Sequence, residues 1–191
     1  MLKLRQLQKQ KQEQLAESAT APERQKQQHQ QQLSNSASQL RLRKDLASLD
    51  LPPSVEIDAA ALQTSSTLYI RITPDEGYYE SGRFSFKVVF KDTYPIEPPK
   101  VTLMSRIFHP NIDVQGNVCL NILREDWSPV LDVQSIVVGL LMLFLEPNAT
   151  DPLNKAAANI LKSGSSQFQG QVRNAMSGGL IDGQRYDRVV K

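Results

Sequence analysis

Apolar and polar residues alternate most regularly between positions 54 and 104, and this period of two residues predicts four β-strands. The clearest strand covers 83–90, where every second residue is large and apolar (Phe84, Phe86, Val88, Phe90). The other strands cover 55–58, 68–72 and 100–104, and residues 68, 70 and 72 should face the core. Because short, turn-rich links without a helix join the strands, we expect an antiparallel meander.

A period near 3.6 residues replaces the alternation on both sides of the strands. Before them, a helix over 39–50 is predicted with Ser38 as its N-cap and with leucines on one face (Leu42, Leu46, Leu49). After them, the stretch 136–145 is apolar almost all round, which is typical of a buried helix, and Asp132 can cap its start. Two amphipathic helices follow, over 153–161 and 167–176. The pattern therefore predicts an α+β domain whose sheet is covered on one face.

The segment 1–37 lacks such a pattern and differs in composition. Before position 33 it holds eleven glutamines, six Lys or Arg and three Glu, with few large apolar residues. Such a segment buries too little apolar surface to offset the entropy of ordering, so we predict a flexible arm ahead of a domain over 38–191. The leucines near its start either form a short motif that docks into a partner's groove or lie in a solvated arm without a role (Leu2, Leu4, Leu7).

Composition narrows the class of protein. The 22 Lys and Arg against 20 Asp and Glu give a net charge of +2, so no strong field favours nucleic acid or a membrane surface. A single cysteine excludes an intrachain disulfide and a cysteine-rich zinc site, and it fits a reducing compartment. The longest apolar stretch is ten residues, about half of a bilayer span. We expect a soluble monomer of the cytoplasm and nucleus without a bound metal.

The candidate chemistry lies in the segment 109–130, which contains the only cysteine, Cys119, and the only tryptophan, Trp127. Polar and turn residues surround the cysteine, and this texture predicts a surface loop that displays the thiol. Two interpretations remain open on the residues alone. The thiol is an inert core group, as lone cysteines often are, or it is a nucleophile or acyl carrier.

Three spaced motifs carry a resemblance to a known family. They are H-P-N-I-x-x-x-G-x-V-C-L-x-I-L from His109, then W-S-P, then P-N-x-x-D-P-L-N. Together they resemble the ubiquitin-conjugating enzyme family, from about Ser38 to the C-terminus. The run C-L-N-I-L-R-E-D-W-x-P-V-L, the run L-F-L-E-P-N and an arm starting M-L-K-L are similar to the branch that carries the Nedd/Rub modifier.

The resemblance implies a reaction and a fold. Cys119 would accept the C-terminal glycine of a ubiquitin-like modifier as a thioester from a heterodimeric activating enzyme, and pass it to a substrate lysine, with a cullin as the expected target. ATP is used by the activating enzyme, so no cofactor is expected on this chain. The alternatives are the same chemistry with ubiquitin itself, or a non-catalytic scaffold of the same ubiquitin-conjugating fold.

The resemblance also assigns roles within the site. Asn111 would stabilise an oxyanion or hold the neighbouring loop, and both interpretations are open. Asp151 would orient the attacking lysine and take up its proton, although a helix N-cap ahead of Pro152 fits the position too. His109 and Pro110 would support the loop. An imidazole that activates the thiol is disfavoured, because no third orienting residue stands out.

Docking surfaces follow from the same resemblance. The activating enzyme and a co-ligase would bind the start of the arm and the outward face of the first helix (Met1, Leu2, Leu4, Leu7, Arg41, Lys44). The RING domain of a ligase would bind two loop tips (Ile96, Pro129, Val130). Trp127 is expected in the core.

Overall fold

A computed structural model of the protein describes residues 36–190. The sequence-based predictions for the docking arm, including Met1, Leu2, Leu4 and Leu7, lie outside the described residues. The helices are α1 (Ala37–Ala47), α2 (Leu62–Ser65), α3 (Val133–Leu145), α4 (Lys155–Ser163) and α5 (Ser165–Met176). The strands are β1 (Val55–Asp58), β2 (Thr67–Ile72), β3 (Phe84–Val89), β4 (Lys100–Leu103), β5 (Leu180–Ile181) and β6 (Gln184–Arg185).

Strands β1 to β4 form one antiparallel sheet in sequence order, which confirms the predicted meander. Ile70 pairs with Phe86 in register, and Val88 pairs with Val101, so the alternating apolar residues meet on one face. All of the predicted inward positions of β2 and β3 are buried. The α+β class with an N-terminal helix and later helices is confirmed as well.

Helix α3 packs on the inner face of this sheet, where the Phe144 ring stacks on Phe84 with centroids 4.2 Å apart. Asp132 caps the helix in a reciprocal capping box with Ser135, as its position predicted. The helix is not buried all round, however, because the sheet covers one side only. Val138 and Met142 remain 48% and 39% exposed on the other side.

Helix α1 starts and ends earlier than predicted. Its N-cap is Ser36, whose Oγ accepts a hydrogen bond from Gln39 N at 3.2 Å. Ser38 is buried instead, and its hydroxyl donates to Lys91 O. The helix ends at Ala47, several residues before the prolines, while Leu42 is fully buried against the core.

The C-terminal segment closes the domain in a way that the pattern did not predict. Helix α5 ends where Gly178 adopts a φ of +88°, and the short β5–β6 hairpin follows. Val189 is buried, and its carbonyl accepts a hydrogen bond from Arg83 N at the start of β3. Among residues 36–190, no helix has the length and apolarity needed to span a bilayer.

Candidate active site

The segment that carries the cysteine is a tight loop fixed to the edge of β4. Cys119 N donates to Asn111 O at 2.8 Å, which folds the loop back on itself. At its tip, Gly116 has a φ of +82° and lies against the backbone of Leu103, leaving no room for a Cβ. The carboxylate of Asp113 accepts hydrogen bonds from two backbone N–H groups of the same tip. The loop is therefore held by hydrogen bonds within itself and by its contact with β4.

Cys119 is 8% exposed, so the prediction that the loop displays the thiol openly is wrong. The accessible part of Cys119 faces an open groove, whose lining also includes Asn111, Met142, Glu146, Asn148 and Asp151. The thiol is thus largely buried, as the core interpretation expects, and the residue also lines a groove, as a nucleophile requires.

Asn111 joins the cysteine loop to the loop that follows α3. Its Nδ2 donates to Asn148 O at 2.9 Å, and its Oδ1 accepts from Asn148 N at 2.9 Å. The side chain is 4% exposed, whereas Asn148 is exposed. Both polar atoms of the amide are occupied by the backbone of one residue, Asn148. The motif P-N-x-x-D contains Asn148, but nothing in that motif indicates that its backbone is the partner.

Asp151 lies exposed on the same groove, beyond this pair of hydrogen bonds. The N-cap of α4 is Asn154, whose side chain accepts from Ala157 N at 3.1 Å. The alternative role of Asp151 as a helix N-cap is therefore wrong, because α4 starts later than predicted. Its carboxylate is left facing the groove.

His109 is fully buried and has no free ring nitrogen. Nδ1 accepts a hydrogen bond from Asn111 N at 2.9 Å, so Nε2 carries the proton and donates to Leu143 O at 2.8 Å. Burial lowers the pKa of the imidazole to about 4, although the bond to the Leu143 carbonyl opposes the shift. The ring also packs on Tyr79, with centroids 4.9 Å apart. A Cys–His nucleophile arrangement is excluded by these contacts.

All but one of the predicted docking residues within the described part of the chain have exposed side chains. Ile96 and Val130 are 75% and 84% exposed, and Pro129 is exposed beside them. Lys44 points outward from α1 as predicted. Arg41 does not, because its guanidinium turns inward and donates to Asp45, Pro129 O and Leu131 O.

Two further observations complete the site. Trp127 is partly buried against the core, and its Nε1 donates to Pro95 O at 2.9 Å. Within residues 36–190, no group of three or more His, Cys, Asp or Glu side chains is arranged to hold a metal ion.

Comparison with known proteins agrees with this geometry. Residues 41–176 match the family model described as ubiquitin-conjugating enzyme. The chain is 54% identical to a protein of Eremothecium gossypii named NEDD8-conjugating enzyme UBC12, over 99% of both chains. It is 50% identical to a protein of Drosophila melanogaster named Nedd8-conjugating enzyme UbcE2M, over 79% of this chain and 83% of that protein.

A solved structure of Saccharomyces cerevisiae Ubc12 aligns with a TM-score of 0.79 and 51% identity, over 99% of both chains. The family model covers well over half of this chain, and the relatives match it at high identity over most of their own length. The chain belongs to the ubiquitin-conjugating enzyme family, in the branch formed by the relatives named NEDD8-conjugating enzymes.

Proposed function

We propose that the chain accepts a NEDD8-type modifier as a thioester on Cys119 and transfers it to a substrate lysine, with a cullin as the substrate. The observation that carries this proposal is the groove in which Cys119 lies together with Asn111 and Asp151. The names of the relatives support the identity of the modifier. Because His109 is buried with both ring nitrogens bonded, its imidazole does not activate the thiol, and this suits an acyl carrier better than a Cys–His hydrolase.

Two acyl transfers follow from this chemistry. The Cys119 thiolate attacks the carbonyl carbon of the thioester on the activating enzyme, whose own thiolate leaves. The amine of a substrate lysine then attacks the carbonyl of the new thioester, an amide bond forms, and the Cys119 thiolate leaves. Because a thioester is already reactive towards amines, the protein has only to position the amine and stabilise the oxyanion of the tetrahedral intermediate.

Asp151 acts on the amine. A lysine with a pKa of about 10.4 must lose a proton before it can attack. A nearby carboxylate favours the ammonium form, so desolvation in the groove has to lower the pKa of the lysine. The carboxylate orients the amine through a hydrogen bond and takes up the proton that is released.

Asn111 acts by holding the loop that carries Asp151. Its amide donor is directed at Asn148 O, 2.9 Å away, and an oxyanion role would require that bond to break. The pair of hydrogen bonds to Asn148 instead fixes the backbone three residues before Asp151. This geometry favours the second of the two roles that the sequence left open.

The partners of the chain follow from the proposed reaction. They are the modifier, a heterodimeric activating enzyme, a RING ligase, a co-ligase and a cullin. The activating enzyme also recognises Lys44 and the arm, and the co-ligase binds Met1 and Leu2. The RING ligase binds the loop tips at Ile96, Pro129 and Val130. The cytoplasm and the nucleus are the compartments that we propose for these encounters. The exposure of Ile96 and Val130 supports the ligase surface, because a docking surface at these residues requires both side chains to be accessible.

One assay tests the carrier function. The full-length protein is incubated with ATP, either NEDD8 or ubiquitin, and the matching activating enzyme, and the products are separated with and without reductant. We expect a reductant-sensitive adduct with NEDD8 that disappears in Cys119→Ala, and a reductant-resistant ester in Cys119→Ser. Gln115→Ala, on the exposed edge of the same loop, is the matched control and should form the adduct normally.

Each other outcome selects a different function. An adduct with ubiquitin alone would identify an ordinary ubiquitin carrier. No adduct with either modifier would leave a scaffold of the same fold. Deletion of residues 2–26 tests the arm separately, and an unchanged rate of charging by the activating enzyme would refute its docking role.

A further inference from the structure

A hydrogen-bonded network of three side chains links α1 to two loops that lie beside it. Arg41 Nε donates to Asp45 Oδ1 at 2.7 Å, and the Tyr94 hydroxyl donates to Asp45 Oδ2 at 2.6 Å. The guanidinium also donates to Pro129 O at 2.7 Å and to Leu131 O at 2.8 Å. One arginine thus connects its own helix to the loop 128–131, and one carboxylate connects the same helix to the loop 94–97.

The network is built into the fold and does not lie loosely on the surface. Asp45 is 4% exposed and Tyr94 is 2% exposed. The Arg41 guanidinium lies 5.8 Å from the centre of the Tyr94 ring, a distance at which the cation and the ring attract each other. Burial and the hydrogen bond to Asp45 raise the pKa of Tyr94, so its hydroxyl remains a donor. A planar fork with several fixed donors is required for this arrangement, and only arginine supplies it.

The hydrogen bonds are placed around the two exposed apolar tips. Pro129 and Leu131 are the neighbours of Val130 on either side, so a single guanidinium holds both carbonyls that flank this tip. Pro95 precedes Ile96, and its carbonyl accepts from Trp127 Nε1 at 2.9 Å, which ties the first loop to the second. The backbone of each tip is fixed while the side chain at its centre stays in solvent.

We propose that Arg41 is a positioning residue, which with Asp45 and Tyr94 sets the distance between Ile96 and Val130 and so holds a preformed docking surface for the RING domain of a ligase. This inference rests on the proposed function, in which those tips bind the ligase. It also reassigns Arg41, whose donors are turned away from the face of α1 that presents Lys44. Two tips held at a fixed distance bind without the loss of loop entropy that mobile tips would incur.

The inference predicts a specific kinetic effect. If the loops are released, only a fraction of molecules presents both tips correctly, and the apparent affinity for the ligase falls by that fraction. A drop in the competent fraction to about one tenth raises the KM for the ligase about tenfold. The rate at saturating ligase stays unchanged, because bound molecules have the correct arrangement.

The test compares Arg41→Lys with Arg43→Lys in the full-length protein. Both substitutions keep the charge of α1, but a lysine cannot donate to Asp45 and to both loop carbonyls at once. Arg43 is exposed, and within residues 36–190 its side chain has no hydrogen bond or ion pair. The protein is charged first and the activating enzyme is then stopped by removal of ATP. Discharge onto a lysine substrate is followed while the concentration of the ligase is varied.

We expect Arg41→Lys to raise the KM for the ligase about tenfold with kcat within about twofold of Arg43→Lys. Tyr94→Phe removes one hydroxyl and keeps the packing of the ring, and it should shift the KM in the same direction by a smaller factor. In the background of Val130→Ala, the effect of Arg41→Lys should shrink, because the tip that it positions is gone.

The other outcomes separate this inference from the proposed function. Equal KM values in Arg41→Lys and Arg43→Lys overturn the inference while the carrier function stands. A lower kcat with an unchanged KM also overturns it, since the network would then act on the groove. Failure of the wild-type protein to form a thioester overturns the proposed function and removes the basis of the inference with it.

Discussion

Replacement of Asn111 by alanine removes the two hydrogen bonds that its side chain makes to the loop after α3. The bonds to Asn148 N and Asn148 O are each 2.9 Å long. A net contribution of about 0.5–1.5 kcal/mol for each bond gives about 1–3 kcal/mol for the pair. Because Asn148 is exposed, its backbone groups can bind water in the variant. We therefore expect the lower part of that range, about 1–2 kcal/mol.

The effect should be visible in both stability and rate. About 1–2 kcal/mol corresponds to a Tm lower by about 2–8 °C for a domain of this size. If the whole amount is expressed in the position of Asp151, discharge of the thioester to free lysine slows about 5- to 30-fold. Asn159→Ala, the same substitution at an exposed position of α4, should leave both quantities unchanged.

The nucleophile distinguishes the two roles of Asn111. A residue that only holds the Asp151 loop matters for an amine that must be oriented and deprotonated, and it matters little for a small thiol. An oxyanion donor stabilises the tetrahedral intermediate for every nucleophile. We expect Asn111→Ala to slow discharge to lysine and to leave exchange with a thiol at the normal rate. In an Asp151→Asn background, Asn111→Ala should slow discharge to lysine little further. Equal losses with lysine and thiol would refute the loop-holding role.

Three further predictions concern the framework of the site. Gly116→Ala places a Cβ against the Leu103 carbonyl at a positive φ, so the unfolding free energy measured in urea should fall by about 3 kcal/mol or more. Gly170→Ala is the control, because its Cβ meets open space, and it should be neutral or stabilising. His109 has a pKa of about 4 in the folded protein against 6.5 in the unfolded chain. Its contribution to the unfolding free energy is therefore complete above pH 6.5 and is lost as the pH falls towards 4. This loss, up to about 3 kcal/mol, should be missing from the pH profile of unfolding in His109→Gln. Asp132→Ala removes the N-cap of α3 and should lower the unfolding free energy by about 1 kcal/mol in the same measurement.

The sheet and α3 could be predicted from the sequence because their periods are long and consistent. In 68–72 and 83–90, every second residue is predicted to face inward, and all of these residues are buried. The ends of the helices could not be predicted in the same way, because several polar residues competed for each cap. Ser36 and Ser38 both suit an N-cap, and a contact with Lys91, far along the chain, decides between them.

The site could be located from the sequence but its geometry could not. The motifs placed Cys119, Asn111 and Asp151 in one region, and the structure brings them to one groove. Arg41 turns inward to the backbone carbonyls of the loop 128–131, and the Cys119 N–H is bonded to the backbone carbonyl of Asn111. Hydrogen bonds to backbone carbonyls cannot be predicted from residue types, since every residue has the same carbonyl group.

Three consecutive residues, His109, Pro110 and Asn111, explain how the late loop is held against the cysteine. The His109 side chain donates to Leu143 O at the end of α3. The Asn111 side chain binds the backbone of Asn148, and the Pro110 carbonyl accepts from Asn154 N at 2.9 Å, at the cap of α4. Each residue thus fastens a different part of the segment 143–154, and Asp151 lies between the last two attachments. A change at one of the three leaves the other attachments in place. Single substitutions should therefore loosen the segment only in part. In urea unfolding, the loss of unfolding free energy in a double substitution of His109 and Asn111 should exceed the sum of the losses in the two single variants.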